Sequence, residues 1–211
     1  MVVITDVRPY RRTKLFEISS EAGVEFLASD KFIAENGLQR FAEFDDESFE
    51  LIRAKAQLID GIRKSIEILS RKDYSRKELY RKLCDKNIPE DAAQAAVQYV
   101  AEKGYQDDFR YAKRLAEIAA NSYGRRRVEQ ILYNHGIERE TIREVIDETF
   151  SDARTEQENL DELLVRTARG KDLNDPKEKN RIYAKLTRLG YGSAMISAAI
   201  SRYEEGKDET L

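Results

Sequence analysis

The sequence is poor in the residues that build disulfide-linked or metal-centred domains. Among its 211 residues there is one cysteine, Cys84, and one histidine, His135. A single cysteine excludes an intramolecular disulfide and a multi-cysteine zinc site, and His135 is the only histidine that a Ser-His-Asp triad could use. The sequence also lacks a Walker-type phosphate loop. We therefore expect the protein not to be an enzyme, and to require neither a cofactor nor a metal.

Proline and glycine are scarce as well, with 3 and 10 residues respectively. These numbers are too low for a loop-rich sandwich and favour long helices. No apolar run approaches the roughly 18 residues of a membrane-spanning helix, and residues 1–6 lack the basic and apolar regions of a secretory signal. We expect a cytosolic, monomeric protein that does not bind membranes.

Charge is abundant but unevenly distributed. Charged residues make up 36% of the chain, with 37 Lys and Arg against 40 Asp and Glu. Residues 62–137 carry 16 basic and 11 acidic side chains, whereas the segments before and after them are each acidic by a net charge of four. A basic middle between acidic ends predicts a polyanionic or acidic partner for the middle. It disfavours uniform coating of bare DNA by the whole chain.

The first 45 residues predict a small β-rich element. Residues 2–4, 14–18 and 24–26 are short β-prone or alternating runs, and the segment between the last two is typical of a turn. We expect an antiparallel sheet of two or three strands that packs on helices, because so small a sheet is unstable alone. Asp30 is expected to cap a helix over residues 31–35.

From about Asp45 onward apolar residues recur every three or four positions, and an internal repeat is present. Six apolar positions keep one spacing in three copies, at shifts of 49 and then 54 residues. They are Leu79, Leu83, Ile88, Ala93, Ala96 and Val97; Val128, Leu132, Ile137, Ile142, Val145 and Ile146; and Ile182, Leu186, Tyr191, Ile196, Ala199 and Ile200. An upstream amphipathic segment precedes each copy, at residues 62–70, 109–120 and 160–169, so each unit is predicted to contain three helices.

A unit of about 50 residues buries little by itself, and stacked neighbours must supply the core. The predicted fold class is therefore mainly α, with tandem three-helix repeats in an elongated, curved array and a small N-terminal antiparallel β element. The expected divisions are residues 1–45 for the β element and residues 46–103, 104–152 and 153–211 for the three repeats. Between the last two helices of a repeat, Gly136 is expected in the left-handed conformation, with Asn87 in its place in the first repeat.

A few residues have local structural interpretations. Ser75 and Glu78 form a capping-box pattern, and Pro176 is expected at the first position of a helix. His135 is expected at a helix end, where a cation suits the helix dipole. Cys84 is expected to be an unreactive packing residue.

The second helix of each repeat carries the candidate binding cations. They are Arg76, Lys77, Arg81 and Lys82; Arg125, Arg126 and Arg127; and Lys179, Arg181 and Lys185. Arg76, Arg125 and Lys179 are equivalent under the repeat and lie in the first turn, where a cation opposes the helix dipole unless a phosphate or carboxylate binds there. The alternative interpretation is an ordinary solvated face.

Four tyrosines lie near these cations. They are Tyr80, Tyr123, Tyr133 and Tyr183. They either stack on nucleic-acid bases or pack with the ring inside and the hydroxyl outside.

Three segments of the chain resemble signature segments of the RecX family. They are Gly104-Tyr105-Gln106-Asp107-Asp108-Phe109-Arg110-Tyr111-Ala112; Gly124-Arg125-Arg126-Arg127-Val128 with Leu132 and Gly136-Ile137; and Tyr74-Ser75-Arg76-Lys77-Glu78-Leu79 with Lys82-Leu83. The first matches the family pattern G-[YF]-x-[DN]-D-x-x-[FY]-A. The resemblance covers roughly residues 60–150 and is weaker over 151–211, where Pro176 replaces the Gly-x-x-basic entry.

The resemblance implies tandem three-helix repeats and a regulator of the RecA recombinase without catalytic activity. It implies binding in the groove of the RecA–single-stranded DNA filament, most often with inhibition of strand exchange and ATP hydrolysis. Two other hypotheses stay open. In the first, the chain is a helical-repeat protein that binds single-stranded nucleic acid directly, without a recombinase. In the second, it is a scaffold for another protein.

Overall fold

The computed structural model describes the backbone of residues 1–208 and the side chains of residues 1–152 and 156–205. The chain divides into two compact units, Met1–Asp107 and Asp108–Leu211. Within the described residues there are four β-strands, all near the N-terminus, and ten α-helices. The prediction of a mainly α-helical chain with an N-terminal β element is confirmed.

The first unit begins with an antiparallel sheet. Its strands are β1 (Val2–Pro9), β2 (Leu15–Ser20), β3 (Gly23–Ser29) and β4 (Glu43–Phe44), in the order β3-β2-β1-β4. The pairing of β1 with β4 joins only Val2 to Phe44 and Val3 to Glu43. Two residues show no periodicity, so the sequence pattern could not identify β4 as a strand.

Helix α1 (Asp30–Asn36) follows the sheet, and its cap differs from the expectation by one residue. The hydroxyl oxygen of Ser29 accepts a 3.3 Å hydrogen bond from the amide of Phe32. Asp30 is therefore the first helical residue, where its negative charge interacts favourably with the positive end of the helix dipole. Gly37 ends the helix in the left-handed conformation with φ of 64°.

Helix α2 (Asp46–Leu69) serves two hydrophobic cores. Its N-terminal half packs Phe49 and Ala56 against the sheet, where Ile4 is fully buried. Its C-terminal half packs Leu58 and Ile62 against the first three-helix core. The expectation that the sheet packs on helices is confirmed. The helix begins 16 residues before the predicted upstream segment, because one continuous helix supplies both cores.

Helices α3 (Arg76–Cys84) and α4 (Glu90–Glu102) complete the first repeat. The predicted capping box is present, since the Ser75 hydroxyl accepts from the Glu78 amide and the Glu78 carboxylate accepts from the Ser75 amide. Where α2 crosses α4, a Cβ on Gly61 would lie 3.0 Å from the Cβ of Ala96. The absence of a side chain at Gly61 therefore permits a close helix crossing.

The second unit contains two further three-helix groups, each with its own core. Their helices are α5 (Asp108–Ala120), α6 (Arg125–Asn134) and α7 (Arg139–Thr149), followed by α8 (Ala153–Ala168), α9 (Pro176–Arg188) and α10 (Ser193–Asp208). Pro176 is the first residue of α9, as predicted, and the carboxylate of Asp175 accepts from the Lys177 amide at 2.9 Å. Asp107 directly precedes α5.

The repeat predicted from the sequence is present in the fold. None of its apolar positions is more than 8% exposed. The break between the last two helices is also repeated, because Asn87, Gly136 and Gly190 occupy equivalent positions with φ of 60°, 79° and 95°. The predicted division of residues 46–211 at 103 and 152 stays a prediction.

Candidate nucleic-acid and protein interface

The candidate cations of the first repeat lie on α3, which turns Leu79 and Leu83 into the core. Lys77 and Arg81 are four residues apart and lie on the side of α3 opposite this core. Both side chains are exposed. Within the described part of the chain, neither has a hydrogen-bond or ion-pair partner. They are therefore free to bind an anionic partner.

Arg76 and Lys82 have neighbours within the first unit. Arg76 Nε donates to Oε1 of Gln106 at 3.3 Å, and the buried Gln106 side chain donates in turn to the carbonyl of Tyr74 at 3.2 Å. Lys82 Nζ lies 4.5 Å from the centroid of the Tyr74 ring. Both cations therefore contribute to local structure around Tyr74.

A pocket of about 380 Å³ lies beside Tyr74, between the end of α2 and α3. Its lining residues include three cations, Arg71, Lys82 and Lys86, and two carboxylates, Glu67 and Asp85. The Nζ of Lys72 lies 5.4 Å from the Tyr74 ring. The sequence pattern did not reveal this pocket, because it forms between helices. An aromatic ring with two lysines is nevertheless a combination that nucleic-acid sites use.

In the second repeat, Arg125 has contacts with residues of α7 and α8 of the same chain. Its Nη1 donates to Oδ1 of Asp147 on α7 at 3.2 Å, and its guanidinium lies 5.9 Å from the Phe150 ring. Its backbone amide donates to the carboxylate of Glu156 at 3.0 Å. The first turn of α6 therefore already has a carboxylate, supplied by α8 of the same chain.

Arg126 and Arg127 differ from Arg125 in that both are exposed. Neither side chain has a hydrogen-bond or ion-pair partner among the residues the structure describes. Adjacent unpaired cations of this kind contribute little to folding, since like charges repel each other. Arg126 is the repeat equivalent of Lys77, so the first and second repeats each present an unpaired cation at the same position of the second helix.

All three candidate cations of the third repeat have partners. Lys179 Nζ lies 2.7 Å from Oε1 of Glu204 on α10, and Arg181 pairs with Glu178. Lys185 Nζ donates to the hydroxyl of Thr167 on α8 at 3.1 Å. These contacts reduce the availability of the third-repeat cations for a partner.

The repeat-equivalent cations Arg76, Arg125 and Lys179 therefore share a structural role. Each contacts a side chain outside its own helix. The partner of Lys179, Glu204, is the repeat equivalent of Phe150, which lies near Arg125 in the second repeat. The sequence repeat aligned these three residues at one equivalent position, but it did not show that the protein itself supplies their partners. Ion pairs between residues 22 and 25 positions apart depend on helix packing, which composition does not reveal.

Most of the tyrosines near these cations pack on the cores. Tyr80, Tyr123 and Tyr183 are partly buried against the cores of the first, second and third repeats. Tyr133 is 57% exposed. The neighbouring thiol of Cys84 raises the pKa of the Tyr80 hydroxyl. Ring packing is thus the better description for three of them, and Tyr133 keeps an open ring.

His135 follows the last residue of α6, where the sequence predicted a helix end. Its Nδ1 lies 3.0 Å from the hydroxyl of Tyr111 on α5. This contact joins the first and second helices of the same repeat. His135 therefore has a packing role that its position at a helix end did not reveal.

Family models and relatives agree with this architecture. Residues 63–99 match the model of the first three-helix domain of RecX, and residues 107–146 match that of the second. A regulatory protein RecX from Stenotrophomonas maltophilia (strain R551-3) is 35% identical over 144 residues, which are 68% of this chain and 86% of the relative. A regulatory protein RecX from Xanthomonas axonopodis pv. citri (strain 306) is 32% identical over 139 residues, covering 65% of this chain and 84% of the relative.

Solved structures show the same fold. A crystal structure of a regulatory protein RecX has a TM-score of 0.69 at 17% identity, covering 95% of this chain and 100% of the other. A crystal structure of RecX from Lactobacillus salivarius has a TM-score of 0.62 at 18% identity, covering 70% of this chain and 97% of the other. No helix within residues 1–208 is long and apolar enough to cross a membrane. The matched domains and the relatives show that the chain belongs to the RecX family of regulatory proteins.

Proposed function

We propose that the chain regulates a RecA recombinase by binding the RecA–single-stranded DNA filament in the cytoplasm, without catalytic chemistry of its own. The expected effect is inhibition of ATP hydrolysis and strand exchange. Family membership supports the general role, since the curated relatives are named regulatory proteins. A regulator of this kind needs surfaces that meet DNA phosphates or acidic protein groups.

One observation carries the assignment of the surface. Lys77, Arg81, Arg126 and Arg127 are exposed and have no side-chain partner among the described residues. We assign these four as the main contacts to the filament. Cations with partners inside the chain have a smaller share in binding, because a filament must compete with those partners. They are Arg76, Lys82, Arg125, Lys179, Arg181 and Lys185.

The test combines co-sedimentation with activity. The purified chain is mixed with filaments of the RecA recombinase of its own organism on single-stranded DNA, and DNA alone and recombinase alone serve as controls. We expect the chain to sediment with filaments and to lower ATP hydrolysis and strand exchange. Unchanged ATPase and strand-exchange rates at saturating concentration would contradict the proposal.

The pocket beside Tyr74 supports a second candidate function, direct binding of single-stranded nucleic acid. Lys72 and Lys82 lie against the ring, and Lys86 lies nearby, whereas Arg71 beside them already pairs with Glu67 at 2.9 Å. Direct binding predicts an affinity for an oligonucleotide alone that falls steeply with salt. Equal affinity for bare DNA and for the filament would favour this second function over recombinase regulation.

A further inference from the structure

An open groove of about 670 Å³ lies between α3 and α4 in the first unit. Tyr80 and Val97 contribute ring and aliphatic atoms to it, and Arg76 and Lys77 contribute the only charges among its lining residues. Ala95 lines the groove on the α4 side and is exposed. The groove therefore combines an apolar floor with a cationic rim.

The α4 side of this groove is unusual for so charged a chain. Residues 92–101 contain no charged side chain, although 36% of all residues are charged. Gln94, Ala95 and Gln98 are exposed positions within that segment. Exposed positions of a surface helix ordinarily carry charged or polar residues, and here they are two uncharged amides and an alanine. Because these positions are exposed, packing within the chain does not require them to be uncharged.

The equivalent surface of the second repeat is built in the opposite way. Glu129, Arg143, Glu144 and Asp147 occupy the positions of Tyr80, Gln94, Ala95 and Gln98. There the pair Arg125–Asp147 joins the second helix to the third. The same helix pair therefore shows a charged, internally paired surface in the second repeat and an uncharged groove with a cationic rim in the first.

The chemistry of the groove favours a protein segment over nucleic acid. A nucleic-acid strand carries a phosphate at each nucleotide and needs a row of cations along its path, whereas this groove has two cations at one rim. Tyr80 packs on the core of the first repeat, and this packing holds its ring in place. The amide of Gln94 can donate to and accept from a peptide backbone, and the amide of Gln98, which donates to Glu102 at 2.7 Å, can accept from one.

We propose that the α3–α4 groove binds a short protein segment in which a carboxylate lies beside an apolar side chain. Lys77 pairs with the carboxylate, and the apolar side chain lies on Ala95, Val97 and the Tyr80 ring. This inference rests on the proposed function, because the segment belongs to the recombinase itself. It assigns the first repeat a contact to protein, whereas Arg126 and Arg127 remain candidates for DNA.

The test uses substitutions that keep the helices intact. Ala95→Glu places a carboxylate in the groove, as the second repeat has at Glu144, and glutamate is a good helix former. Ala54→Glu adds the same charge at an exposed position of α2 outside the groove and is the matched control. Lys77→Gln removes the proposed partner of the carboxylate. Full-length variants are compared by circular dichroism before binding is measured.

Binding is measured to immobilised DNA-free recombinase, to filaments and to an oligothymidylate alone. We expect A95E to weaken binding to recombinase and filaments by about tenfold, as removal of a central interface contact does, with binding to the oligothymidylate changed less than about twofold. K77Q should weaken recombinase binding several-fold and make it less dependent on salt. A54E should behave as the wild type.

Each other result overturns a defined part of the inference. If the wild type binds filaments and A95E binds them as well as A54E does, the groove is not part of the interface. The proposed function would then stand without this inference. An equal loss of oligothymidylate binding in A95E would assign the groove to nucleic acid. If A95E lost recombinase binding and K77Q did not, the bound segment would have no carboxylate that pairs with Lys77. A wild type that binds neither recombinase nor filaments would refute the proposed function and this inference together.

Discussion

The amide of Gly124 donates a 2.9 Å hydrogen bond to the carbonyl oxygen of Leu189. This bond joins the start of α6 to the break between α9 and α10, so the second and third repeats meet backbone to backbone. A Cβ on Gly124 would lie 2.8 Å from the carbonyl carbon of Gly190. Glycine is required on both sides of this contact, and the neighbouring arginines of α6 depend on it for their position.

Gly190→Ala is therefore expected to destabilise the contact between these repeats. Gly190 has φ of 95°, and its new Cβ would overlap the backbone nitrogen of Arg127. Left-handed strain and steric overlap together should lower the free energy of unfolding by about 2–4 kcal/mol. Urea unfolding followed by circular dichroism measures the change.

Two other glycines separate the two causes. Gly170 has φ of 74° and Gly192 has ordinary φ, and a Cβ on either would meet no atom within 4 Å. Gly170→Ala should cost about 1–2 kcal/mol through left-handed strain alone, and Gly192→Ala should cost less. If G190A were no more destabilising than G170A, the close contact would not contribute to stability.

The second prediction separates Arg125 from its neighbours. Arg126→Ala with Arg127→Ala should weaken binding to filaments and to single-stranded DNA, since both side chains are exposed and unpaired within the described chain. If each contacts one phosphate, the slope of log affinity against log salt should fall by about 0.7 per contact, or roughly 1.4 for both. Fluorescence anisotropy at several salt concentrations measures the slope.

Arg125→Ala is the matched control. It removes the half-exposed pair with Asp147 and should lower stability by up to about 1 kcal/mol. It should leave the salt slope nearly unchanged. A larger loss of slope in Arg125→Ala than in the double variant would place the phosphate contact at Arg125 instead.

The sequence predicted the cores far better than the binding surface. The spacing that joins Leu79 to Val128 and Ile182 identified residues that are all fully buried, because apolar periodicity reflects packing directly. The pairing of Arg125 with Asp147 was not predictable, since it depends on how two helices cross. Strand β4 was missed because two residues show no pattern. Local capping was predicted where the signal was complete, as at Ser75, and misplaced by one residue where Ser29 precedes Asp30.

The third prediction compares two repeat-equivalent lysines. Lys82 lies over the Tyr74 ring beside an open pocket, whereas Lys185 donates to the Thr167 hydroxyl. Lys82→Gln should lower affinity for single-stranded DNA several-fold if that pocket holds a nucleotide. Lys185→Gln should leave the affinity unchanged, and equal effects of the two substitutions on an oligothymidylate would indicate a general charge effect rather than a site.

The last prediction concerns stability at alkaline pH. Tyr191 is 1% exposed, and burial, with a smaller contribution from the charge of Glu156, raises the pKa of its hydroxyl above the ordinary value of 10.0. Below about pH 10 the hydroxyl is protonated in both the folded and the unfolded chain, so its contribution to stability is fully present. Above that pH the unfolded chain releases the proton while the folded chain retains it, and the free energy of unfolding must fall.

Tyr191→Phe keeps the ring in the third-repeat core and removes the ionisable group. The wild type should therefore lose stability more steeply than Tyr191→Phe between about pH 10 and the raised pKa, and the two should show the same pH dependence below pH 9. Urea midpoints measured from pH 8 to pH 11 give both curves. Parallel curves across that range would show that burial of Tyr191 does not oppose its ionisation.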